Sequence, residues 1–208
     1  MSRECTEELF RKDVADHTIN ILRDDGVYRH LSFTRNGSSI YRFDLITWPG
    51  YLCYCGDMGT YVFQRLTDMF QFFRADMRGV GDDLYISLSY WEEKLQAIDA
   101  NRRNGAAVEW SAEKFKRVVK EQYVEWLRER RLDAIDRAEL REAIDELLSE
   151  ADDEHRAHDA ASNFECHRFR FYDFWEHDLT DYTFQFTWCC FAIAWGIQQY
   201  DAAKELQK

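Results

Sequence analysis

One proline, Pro49, and nine glycines are all that 208 residues contain of the two strongest breakers of regular structure. No segment has the composition of a flexible linker, so one α+β domain spanning residues 1–208 is the expectation. A secretory signal is also missing from the opening Met-Ser-Arg-Glu-Cys-Thr-Glu-Glu. The longest apolar run, Phe186 to Ile197, covers about half of the roughly 20 residues that cross a bilayer. These absences predict a soluble cytoplasmic protein with no membrane partner.

Catalytic signatures are lacking too. There is no Gly-x-Ser-x-Gly elbow, no phosphate-binding loop and no dinucleotide fingerprint, and no cofactor is implied. Gly56-Asp57-Met58-Gly59 is glycine-rich, but it lies between two strand patterns and reads as a tight hairpin. Six cysteines fall in awkward places for disulfides. Cys53-x-Cys55 puts both thiols on one face of a strand, and Cys189-Cys190 diverge by about 100° on a helix. Reduced thiols, mostly buried and packing as small hydrophobes, are expected.

Aromatic residues are abundant: 15 Phe, 11 Tyr and 7 Trp fill a core and exclude a disordered acidic chain. They are also compatible with a homodimer. Residues 17–88 read as β-rich. Strand patterns run over Thr18–Leu22, Val27–Thr34, Tyr41–Thr47, Tyr51–Cys55 and Thr60–Phe63, giving an antiparallel meander of about five strands. Asn36-Gly37 and Trp48-Pro49-Gly50 punctuate them. Thr67 is placed to cap a short helix carrying Met69, Phe70 and Phe73, and Leu84 to Leu88 reads as a further strand.

Residues 89–208 read as mainly helical. Ser89-x-x-Glu92 has the form of a capping box opening a helix to about Ala100. Ser111 caps a helix with Phe115, Val118, Val119, Tyr123 and Trp126 on one face, and Asp136-x-x-Glu139 opens the next. The last helix starts at Asp178 or Thr180, is apolar on most sides and is expected at the centre of the fold.

Charge is concentrated between Asp133 and Asp159, where eleven acidic residues face three arginines in a chain of net charge -12. If residues 137–151 are helical, Leu140, Ile144, Leu147, Leu148 and Ala151 share one side. Glu139, Glu142, Glu146, Glu150 and Asp153 then recur at three and four residues on another. Neighbouring members lie roughly 5 to 6 Å apart, comparable with phosphates along a nucleic-acid strand. The bland alternative is a solvated helix face supported by Arg137 and Arg141. Against it, like charges at i,i+4 cost a few tenths of a kcal/mol each, and solubility needs only mixed signs.

Other candidates compete with this face. Glu154-His155-x-x-His158-Asp159 offers metal donors, but a third ligand must come from Cys166, His167 or His177. Asp44 and Asp57 could flank a small pocket with His17 or His30. His167-Arg168-Phe169-Arg170-Phe171-Tyr172 combines cations with rings, yet its alternation fits an edge strand or connector with the rings turned inward. A pI near 5.0 argues against direct nucleic-acid binding.

The segments Arg42-Phe43-Asp44-Leu45-Ile46-Thr47-Trp48-Pro49-Gly50, Gly56-Asp57-Met58-Gly59-Thr60-Tyr61-Val62-Phe63 and Asp68-Met69-Phe70-Gln71-Phe72-Phe73-Arg74 resemble a family of small uncharacterised phage and prophage proteins. Trp188-Cys189-Cys190 and Trp195-Gly196-Ile197-Gln198-Gln199-Tyr200 are similar to its end. The resemblance implies a phage accessory protein in the host cytoplasm, of the anti-CRISPR or another anti-defence kind. It brings no established activity or site residues. The expected function is a non-enzymatic inhibitor whose five carboxylates occupy a basic groove of a host protein or ribonucleoprotein complex. The alternative is a small metal-assisted enzyme acting on a nucleotide or signalling molecule.

Overall fold

The computed structural model describes residues 4–76, 83–99, 106–130 and 132–206. Alternating apolar residues in its first third build strands β1 (Thr18–Asp25), β2 (Tyr28–Thr34), β3 (Phe43–Trp48), β4 (Tyr51–Gly56) and β5 (Gly59–Gln64). A sixth, β6 (Leu95–Ile98), joins them in an antiparallel sheet whose spatial order follows the sequence. The expected meander is borne out, with one strand more. Two of its turns need glycine: Gly50 at φ +88° reverses the chain between β3 and β4, and Gly59 at φ +119° closes the hairpin opened at Gly56.

The sixth strand corrects the helix expected from Ser89. Only one turn, α3 (Leu88–Glu92), is helical before the chain becomes extended, and Ala100 lies outside the described residues. The Gln64 amide donates to the Lys94 carbonyl at 2.9 Å and the Asp99 amide to Thr60 at 3.1 Å, so the chain satisfies the open edge of β5. Residues 84–87, expected as a strand, are irregular; the Leu84 amide donates instead to the Glu7 carboxylate at 3.0 Å. Helix α1 (Glu7–Asp13), capped by Thr6, had no counterpart in the sequence reading. Helix α2 (Met69–Asp76) is capped by Asp68, whose carboxylate accepts from the Phe70 amide at 3.0 Å, and not by Thr67.

One face of the sheet is covered by α7 (Phe184–Glu205) with α1 and α2 beside it. Thr183 caps α7, because residues expected to start it form strand β8 (Thr180–Tyr182). Nearly every residue of α7 from Phe186 to Ile197 is buried. Its rings meet those of the sheet, Trp195 with Phe33 at 5.5 Å and Trp188 with Phe43 at 5.8 Å. Each large apolar side chain so buried stabilises by about 1.5–3 kcal/mol. Gly196 lets the helix approach closely, since a Cβ there would lie 2.8 Å from Leu45 Cδ1.

The chain divides into two compact units, residues 1–108 with 182–208, and residues 109–181. Composition does not announce this division, because no proline- or glycine-rich segment marks either crossing. Each crossing falls in a short strand, β7 (Val108–Trp110) and β8, which pair. The second unit contains helices α4 (Ala112–Glu129), α5 (Ala134–Ser149) and α6 (Glu154–Ser162) around its own core of Phe115, Val119, Leu140, Ile144, Ala157 and Phe169. Ser111 caps α4 as expected, accepting from the Lys114 amide at 3.2 Å. Among the described residues no helix is long and apolar enough to cross a membrane.

Candidate functional site

The cap of helix α5 lies three residues before the expected Asp136. Asp133 occupies the cap, accepting from the Ile135 and Asp136 amides at 2.9 and 2.8 Å. Leu140, Ile144 and Leu147 are buried, as the apolar stripe requires. Arg137 and Arg141 flank that stripe on one side, and both line a groove between α4 and α5 with Lys120 and Tyr123. Glu142 lines that same groove, whereas Glu139 and Glu150 lie on the opposite flank of the stripe.

That row is divided between two helices. Residue Glu150 ends α5, and Asp153 caps α6, where its carboxylate accepts from the Arg156 amide at 3.0 Å. This hydrogen bond holds the Asp153 carboxyl below the usual carboxylate range. Glu150 lies 3.5 Å from the Arg156 guanidinium, and the Trp110 indole donates to the Ala151 carbonyl at 2.8 Å, satisfying the broken helix end. Asp152 and Asp153 offer the side-chain acceptor that favours a cap over a helix interior, which explains the break.

Glu139 is also engaged, with its carboxylate 3.0 Å from His167 Nε2. Glu142 and Glu146 remain, exposed and one turn apart, with no hydrogen-bond or ion-pair partner among the described residues. Asp145 is exposed between them with Arg141 at 3.9 Å. Of the five predicted carboxylates, the fold thus leaves two unengaged, uses Asp153 for structure and gives Glu139 and Glu150 cationic or ring partners.

The histidines arrange differently from expectation. His155 is exposed, while the His158 ring lies 5.2 Å from Trp110. His167 instead meets two carboxylates: among the described residues Asp136, Glu139 and His167 are the group whose donor atoms lie within 4.8 Å of one another. A tight turn at Cys166 to Phe169 presents His167, with φ +47° there and +66° at Arg168. Sequence contains half the signal, Asp136 and Glu139 at i,i+3, but the approach of a residue 28 positions away is a tertiary event. Phe169 of the Arg-aromatic segment is buried against Phe164 and Phe171 and follows a turn, not a strand, while Tyr172 of the same segment is exposed.

In the first unit, Asp44 does meet His30, at 3.0 Å, while Asp57 accepts from the Tyr41 amide at 3.0 Å and belongs to a turn. None of the six cysteines forms a disulfide, and Cys5, Cys189 and Cys190 are buried as expected. Cys53 and Cys55 are only half-buried. The chain matches no family model, no curated protein and no solved structure.

Proposed function

We propose that the chain is a non-enzymatic phage accessory protein that inhibits a host defence complex of the CRISPR type. In this reading its acidic unit occupies a groove built for nucleic acid. The observation that carries the reading is charge asymmetry: residues 109–181 hold 21 acidic and 12 basic side chains, a net of -9 out of the chain's -12. Within that unit Glu142 and Glu146 are exposed and form no ion pair among the described residues, and Glu142 lines the groove that also holds Arg137, Arg141 and Lys120. Unpaired carboxylates of this kind steer encounter with a Lys/Arg-rich surface and contribute most at low salt. The partner is a protein or ribonucleoprotein with a basic groove. The same charge disfavours nucleic acid itself as the ligand.

Reversal of Glu142 and Glu146 to lysine is the local test. Affinity for the target is expected to fall at least about tenfold, roughly 1.4 kcal/mol, with the fold retained by circular dichroism. Glu150→Lys, which disturbs a residue already paired with Arg156, should cost less. Undiminished inhibition by the double variant would reduce the face to a solvated surface.

A metal-assisted enzyme is the second reading, favoured by the Asp136, Glu139 and His167 donor set in place of His155 and His158. Carboxylate and imidazole donors suit zinc or manganese. Elemental analysis of the purified chain separates the readings. Stoichiometric metal lost in Glu139→Gln supports the enzyme, and its absence together with indifference to chelator removes it.

A further inference from the structure

Two hydroxyls are shut inside the core of the first unit. Tyr54 and Tyr61 are paired across β4 and β5, with ring centres 6.4 Å apart, and both are fully buried. The neighbouring buried rings of the sheet, Phe33, Phe43 and Phe63, are phenylalanines, so filling volume does not by itself require the extra oxygen. Neither tyrosine hydroxyl has a hydrogen-bond partner among the described residues. A buried hydroxyl left in that state is costly, and in folded proteins such groups are nearly always satisfied.

We propose that Tyr54 and Tyr61 form a binding site for one buried water molecule, which bridges their hydroxyls beneath the β4–β5 hairpin. The water oxygen accepts from both tyrosines, and its own hydrogens turn to the Met58 carbonyl and the Cys189 sulfur. A buried water typically makes about three hydrogen bonds to groups that would otherwise go unsatisfied, and this set supplies them.

The neighbouring protein groups do not serve instead. Cys189 lies against Tyr54, but sulfur is a weak acceptor and its thiol is directed to the Met58 carbonyl at 3.9 Å. Thr183 lies against Tyr61, but its hydroxyl donates to the Ala106 carbonyl at 2.9 Å and accepts from the Phe186 amide at 3.2 Å while capping α7. From the hairpin side Gly59 brings no side chain: a Cβ there would lie 3.7 Å from the Tyr61 hydroxyl. Burial pushes both tyrosine hydroxyls up, so each keeps its proton and remains a donor. The site belongs to the first unit alone and does not rest on the inhibitor reading.

The test combines a high-resolution crystal structure of the full chain with thermal unfolding of Tyr54→Phe and Tyr61→Phe. An ordered water oxygen within hydrogen-bond distance of both hydroxyls is expected. Each phenylalanine variant should unfold at a temperature lower by roughly 2–4 °C, because the hydrogen bonds are lost while the ring volume stays. In the double variant the loss should fall short of the sum, since the water leaves with either hydroxyl. Water on only one hydroxyl or on neither, or an unfolding temperature unchanged or raised in either single variant, would overturn the proposal. A raised temperature is what removing an unsatisfied buried hydroxyl would produce.

Discussion

Arg29 is one of the few charged side chains withdrawn into the fold, 8% exposed, and what surrounds it decides whether that burial stabilises. Its guanidinium grips both oxygens of Asp68, at 2.8 and 3.0 Å, and lies over the Phe70 ring with 4.6 Å to its centre. Burial alone would raise the Asp68 carboxyl, but the hydrogen bonds and charge of Arg29 hold it below its ordinary value. Arg29→Met removes the cation and leaves the carboxylate half-satisfied, so urea denaturation should show a loss of about 3–5 kcal/mol. The pH dependence follows from the depressed carboxyl. Its contribution is fully present above the unfolded value near 3.9 and is lost as pH falls through the lower folded value. The stability advantage of the native chain over Asp68→Asn should be constant above about pH 5 and shrink below pH 4.

Helix α7 shows how a single position can set an element's depth. Replacing Gly196 by alanine gains about 1 kcal/mol of helix propensity, but the new methyl meets Leu45 at 2.8 Å and the Phe33 ring at 3.1 Å. Leu45 can give at its tip. Phe33 is stacked on Phe43 at 4.5 Å and cannot, so the overpacking cost of about 1–3 kcal/mol wins and thermal unfolding should come at lower temperature. Equal or greater stability would mean α7 lies further from the sheet. Elements of this kind were legible in the sequence: period-two alternation marked β2 and β3, β-branched content marked β1, the Gly56 to Gly59 turn marked β4 and β5, and the nearly all-apolar run marked α7 as central. Strand β6 was not, because Leu95 to Ile98 is extended only by virtue of an open edge at β5. The break between α5 and α6 was hidden for another reason. The spacing places Asp153 in the carboxylate row, whereas it is the cap of α6.

At the scale of the molecule, the buried apolar residues form two cores, one in each compact unit. Leu140 is fully buried in the second, and its truncation to alanine should cost about 2–5 kcal/mol. Hydrogen exchange should then quicken in α4, α5 and α6 while β1 to β5 keep their protection; uniform quickening would show one cooperative fold instead. The candidate site was legible as a region and not as a residue set. Local spacing identified the acidic face, but whether each carboxylate is available depends on His167 and Arg156, which only tertiary structure brings to Glu139 and Glu150.

The most direct measurement adds the protein to CRISPR surveillance complexes with labelled target DNA and follows DNA binding as salt is raised. The account predicts that DNA is displaced, that displacement weakens steeply with salt, and that Glu142→Lys with Glu146→Lys abolishes it. DNA binding and cleavage unchanged across several such complexes, or displacement equally strong by the charge-reversed chain, would contradict it.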